Sequence, residues 1–163
     1  MNADAFRHFY GYHFAENRKM WDACVASLPY EQFTQAVSYS HGSVRDQIVH
    51  LMSVDEVWFS ELRGVEPPEP FPVANVDDRE MIRARWDGIE RSMREYLAEL
   101  RDDRLFDRPI EEPEEDRELA VWQVLLHVVN HGTDHRAQLL RLLNDLGVKT
   151  ASQDYIFYAY DNL

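Results

Sequence analysis

The chain's 163 residues are 45% hydrophobic and 12% aromatic, which supports a folded protein and excludes wholesale disorder. Thirty acidic residues against 17 basic give a net charge of -13, with no Lys/Arg block, so nucleic acid and anionic membranes are excluded as partners. The length suits one domain over residues 1–163, large enough to bury its own core, so a bound metal would serve function before folding.

The start, Met1-Asn2-Ala3-Asp4-Ala5-Phe6-Arg7-His8, lacks the basic-then-apolar order of a signal peptide. No run of about 20 apolar residues is present to span a bilayer. A cytoplasmic location is expected. Cys24 is the single cysteine, which rules out an internal disulfide and fits a reducing compartment. Its place on an apolar stripe makes it a buried bystander.

The first predicted helix runs from about Ala3 to Ser27, with Phe6, Tyr10, His13, Phe14, Asn17, Met20, Trp21, Cys24 and Leu28 recurring at three- and four-residue steps. Pro29 closes it. Ser43 then caps a second helix, with Asp46 three positions on, that reaches about Arg63. Val44, Ile48, Leu51, Trp58 and Leu62 form its inner face, while Arg45, Glu56 and Arg63 are assigned to the opposite side. Gly64 ends it, and Pro67-Pro68-Glu69-Pro70-Phe71-Pro72 cannot be helical, because each proline removes a donor and fixes φ.

A third helix starts near Asp77 and Asp78 and reaches roughly Asp102, with Ile82, Trp86, Ile89, Met93, Tyr96, Leu97 and Leu100 inward. Leu105 to Arg117 reads as a short extended segment turning through an acidic tip, compatible with a small hairpin. The fourth helix spans about Leu119 to Leu146, stopped by Gly147. The tail, Ala151 to Leu163, carries Tyr155-Ile156-Phe157-Tyr158-Ala159-Tyr160 and is expected to form a lid over one end of the core, with a subunit contact as the alternative. Four amphipathic helices with two long connections predict an all-α four-helix bundle in which up-up-down-down topology is accommodated.

Three of the seven histidines fall within nine residues of the fourth helix, His127, His131 and His135. At about 100° per residue, Val121, Val124, Leu125, Val128, Leu139, Leu142, Leu143 and Leu146 share one arc, and His131 and His135 lie at its edge and within it. Two inward imidazoles one turn apart can bind one metal ion. Left without partners among Leu and Val, each would cost about 1–3 kcal/mol. His127 projects nearer the polar boundary and is assigned to packing.

A third ligand must come from His8, His13, His41 or His50, and His50, bordering the apolar face of the second helix, is the best internal candidate. Gly132 and Thr133 follow His131 where the zincin motif needs Glu, and no His has Glu three residues before it, so zincin and ferritin-like di-iron sites are excluded. A three-imidazole site would keep a position open to water or substrate and accept Zn²⁺, Ni²⁺, Fe²⁺ or Mn²⁺. Gly132 in mid-helix, costly by about 1 kcal/mol, would make room beside the metal or allow a close helix approach.

Ser43-Val44-Arg45-Asp46-Gln47-Ile48-Val49-His50-Leu51, Val124-Leu125-Leu126-His127-Val128-Val129-Asn130-His131-Gly132-Thr133-Asp134-His135-Arg136-Ala137-Gln138, and Gly147 before an aromatic tail resemble the DinB/YfiT-like superfamily of metal-binding four-helix bundles. The resemblance covers essentially the whole chain. It implies that His50, His131 and His135 bind a divalent metal, Zn or Ni favoured. It also implies up-up-down-down topology and a homodimer. Ala137 departs from the Gly often found there.

Some such proteins resemble thiol-dependent transferases. In that reading the metal lowers the pKa of a low-molecular-weight thiol and delivers it to a small-molecule electrophile. An anionic thiol would want cations at the mouth, for which Arg136, Arg45 and Arg7 are the candidates. Metal-assisted hydrolysis and a non-catalytic metal or small-ligand binding module are the alternatives; the first needs a base that the sequence does not identify.

Overall fold

A computed structural model describes residues 1–72 and 77–162; residues 73–76 and Leu163, the last residue of the tail, lie outside the described part. The described residues form helices and turns, with no strand among them. The first helix, α1 (Ala3–Met20), is capped by the Asn2 side chain, which accepts a 2.9 Å bond from the Ala5 amide. Its axis continues through a π-helical turn, Trp21–Val25. All nine residues of the predicted stripe, Phe6 through Leu28, are buried. A short α2 (Tyr30–Thr34) packs Phe33 inward.

Helix α3 (Val44–Arg63) opens on a reciprocal cap. Ser43 Oγ accepts from the Asp46 amide, and the Asp46 carboxylate accepts from the Ser43 amide. It ends at Gly64, whose φ of 64° is left-handed and suits a residue without Cβ. Helices α4 (Arg79–Glu99) and α5 (Val121–Asp145) complete the bundle, and α6 (Tyr155–Asp161) follows. One buried cluster draws Phe6 and Tyr10 from α1, Ile48 and Leu51 from α3, Ile82 and Met93 from α4, and Leu125, Leu139 and Leu143 from α5. Each such large apolar side chain contributes about 1.5–3 kcal/mol by leaving water.

The direction of each helix follows from its cross-contacts. Tyr10 meets Phe59 and His13 meets Asp55, so α1 and α3 are antiparallel. Glu56 pairs with Arg85, and Arg63 bonds Ser92, so α3 and α4 run the same way. Trp58 meets His127 and His50 meets His131, so α5 returns against α3. The order is up-down-down-up, which corrects the expected up-up-down-down. The first long connection is taken up by the π-turn and α2, not by a traverse of the bundle. The proline segment makes the traverse instead: Pro68 lies in the groove lined by Arg63 and Arg85 between α3 and α4, and Arg85 binds the Glu69 carbonyl at 2.9 Å and covers the Phe71 ring.

Two smaller expectations are also corrected. The segment from Leu105 to Arg117 forms no hairpin: its carbonyls at Leu105 and Asp107 accept from the Trp122 and Val121 amides, tying it to the start of α5. The aromatic tail is no lid over a bundle end. Its helix α6 lies on the flank of α1, with Tyr155 edge-on to Phe9 and Tyr12 and with the Tyr12 hydroxyl donating to the Gln153 carbonyl at 2.6 Å.

Candidate metal centre

Helix α5 buries Val124, Leu125, Val128 and Leu139 on the arc read from its periodicity, and this fixes the rotation that turns His131 and His135 toward α3. Their ring centroids are 4.2 Å apart. On α3, Ile48 and Leu51 are buried beside His50, which is thereby aimed at the same space. The Nε2 atoms of His50 and His131 are 3.2 Å apart, and the rings of His50 and His135 are 4.6 Å apart. The structure therefore sets His131 and His135 beside His50, but the three-histidine group whose ligand atoms all lie within 4.8 Å of one another has His41 in place of His131.

It also brings a fourth imidazole, which the sequence reading set aside. His41 lies in the loop before α3 and stacks on His50, centroids 3.6 Å apart and planes 16° from parallel. Ligand atoms of His41, His50 and His135 all lie within 4.8 Å of one another, a three-histidine group able to hold a metal ion. His41 is exposed and the other three are half-buried, so His41 is the outermost member. A histidine in a loop leaves no periodic signal; its spacing nine residues before His50 was the only clue available.

The cluster is tuned toward the neutral, ligating form of imidazole. Burial first, then the neighbouring His41, His135 and His131 rings, lowers His50 to about 4. Burial, then His135 and His127, lowers His131 to about 4 against the pull of Asp55. Burial followed by His41 lowers His135. The donor set fits a divalent ion on two further counts. His135 Nδ1 is buried with no hydrogen-bond partner among the described residues. Tetrahedral nitrogen ligands at about 2.0–2.1 Å from an ion sit about 3.3–3.4 Å from each other, close to the His50–His131 separation.

A different polar group lies on the α1 side of α5. Arg136 is fully buried; its Nη1 donates to Asn17 Oδ1 at 2.8 Å and to His13 Nδ1 at 3.2 Å. A guanidinium only donates, so His13 Nδ1 accepts and Nε2 carries the proton, which faces Asp55 Oδ2 at 3.2 Å. Gly132 makes this possible. A Cβ there would sit 2.5 Å from His13 Cε1 and 2.8 Å from its Nδ1, so the missing side chain makes room for His13.

The three arginines assigned to the mouth are all engaged elsewhere. Arg136 is in the network just described. Arg45, expected on the outer side of α3, is buried and pairs with Asp78 at 2.7 Å, joining the starts of α3 and α4. Arg7 donates from Nε to the Leu97 carbonyl at 2.9 Å, at the α1–α4 seam. His127 is exposed and edge-on to Trp58, a packing role. His8 packs against Tyr155 and Tyr158. Cys24 is buried, and burial raises its thiol.

The DinB family model matches residues 1–162. The chain is also similar to "Protein DinB" of Bacillus subtilis (strain 168), at 25% identity over 98% of this chain and 96% of that protein. The chain belongs to the DinB family.

Proposed function

We propose that this DinB-family chain binds one divalent metal ion, Zn²⁺ or Ni²⁺ favoured over Fe²⁺ or Mn²⁺, through His50, His131 and His135, and uses it on a small-molecule substrate. The observation that carries the reading is the His50–His131 Nε2 contact of 3.2 Å beside a buried His135 Nδ1 that no described residue satisfies. Protein purified without an affinity tag is expected to hold close to one equivalent of metal by elemental analysis. His131→Ala/His135→Ala should hold almost none, and His127→Ala, altered at an exposed packing residue, should match the wild type. Equal, near-zero metal in all three defeats the reading.

A bound divalent ion supplies a Lewis acid that lowers the pKa of a coordinated thiol or water. The rest falls to the chain. Neutral imidazoles leave the ion its full charge, which suits thiol activation, and transfer from a low-molecular-weight thiol to a small electrophile is the leading chemistry. With Arg7, Arg45 and Arg136 engaged, recognition of that thiol would rest on polar groups, not on ion pairing. Hydrolysis is the second reading. Its natural base, Asp55, whose charge reaches His131, is already held by His13. Metal-loaded protein should conjugate a test thiol to an electrophile faster than it hydrolyses an ester. The opposite ranking selects the hydrolase, and inactivity in both assays selects a binding module. The reading also carries a cytoplasmic homodimer, open to test by light scattering; no described helix is long and apolar enough to cross a membrane.

A further inference from the structure

His41 is held in place by contacts on both sides of it. The Gly42 amide donates to the Tyr39 carbonyl at 3.0 Å, and the Gly42 carbonyl accepts from Gln47 Nε2 at 2.9 Å. Ser40 Oγ bonds Gln138 Oε1 on α5, one turn beyond Asp134 and three residues beyond His135. Ser40 at φ 52° and Gly42 at φ 99° bracket His41 with left-handed backbone, which aims the loop's imidazole back at the bundle. A ring on a free surface loop would point to water; this one lies 3.6 Å from the His50 ring and 5.0 Å from the His135 ring.

We propose that His41 is a fourth, loop-borne ligand of the metal held by His50, His131 and His135, filling the solvent-facing position so that an incoming ligand must displace it. The inference rests on the proposed metal reading. Its two supports are the shared ligand-atom group of His41, His50 and His135 and the outermost, exposed place of His41 in that group. Ser40 and Gln138 are then positioning residues, which set how easily the loop lifts. A closed resting state of this kind protects the ion and admits only ligands that bind it better than imidazole does.

Co²⁺ and azide test it. With His41 on the metal in about nine of ten molecules, azide binds about tenfold more weakly than to a protein lacking that ring. Titration of azide into Co²⁺-loaded protein, followed in the visible spectrum, should therefore show about tenfold tighter binding in His41→Ala than in wild type. The Co²⁺ bands before azide should also differ between the two. Ser40→Ala, which keeps every imidazole and removes the latch, should fall between them. Identical bands and equal azide affinity in wild type and His41→Ala overturn the fourth ligand and leave the three-histidine reading standing. Failure of wild-type protein to take up Co²⁺ overturns both.

Discussion

Two histidine environments sit back to back on one turn of α5. His13 is wholly buried, yet both its ring nitrogens are used, one by Arg136 and the other by Asp55. His50, His131 and His135 are only half-buried, yet among the described residues their nitrogens find little but one another, and His135 Nδ1 finds no partner there. Depth of burial therefore does not mark a ligand; lack of protein partners does. The first group closes on itself and fastens α1 to α3 and α5. The second is left incomplete, and completing it is what a bound ion would do.

Breaking the closed group should produce the largest effect. Arg136→Met removes the donor to Asn17 and His13 and leaves these two buried acceptors without it, each at a cost of about 1–3 kcal/mol. Urea unfolding of metal-free protein measures it, and a loss under about 1 kcal/mol would remove the distinction between the two environments. Gly132→Ala pushes a methyl group into His13 and should cost about 1–3 kcal/mol by overpacking. The same change in a His13→Ala background should cost less, since the ring it strikes is gone.

A third effect belongs to the open group and appears on acidification. Folded metal-free protein keeps His50 and His131 neutral down to about 4, whereas the unfolded chain takes up these protons near 6.5. Their contribution to stability is therefore complete above pH 6.5 and is lost as pH falls from there through about 4. Unfolding midpoints of wild type should drop between pH 6.5 and 5, and those of His50→Ala/His131→Ala should drop less. Parallel curves would mean that the cluster is not desolvated as its geometry implies.

Much of this was legible from periodicity. The nine-residue stripe of α1, the Ser43–Asp46 cap and the Gly64 stop follow from local rules, and local rules leave marks in sequence. The facing of His50, His131 and His135 was legible for the same reason, because Ile48, Leu51, Val128 and Leu139 fix how their helices are turned. Helix direction was not. The length of a connection does not say whether it crosses the bundle or coils at one end, and residues 21–43 spend theirs on a π-turn and α2. Arg45 was misplaced because projection treats a charge as outward, and Arg136 because a cation beside the histidines was assigned to their mouth, whereas Asp78 in one case and Asn17, His13 and Gln153 in the other make burial tolerable.

His50 meets a partner 81 positions further along the chain, and His13 meets one 123 positions further. Both meetings wait for α5, the last of the long helices in chain order. Until α5 has packed, α1 and α3 have one another, through His13 and Asp55, but neither Arg136 nor the two inward histidines of α5. A metal ion held by the proposed triad would therefore bind late in folding, once α5 has closed on α3, and not to α1 and α3 alone.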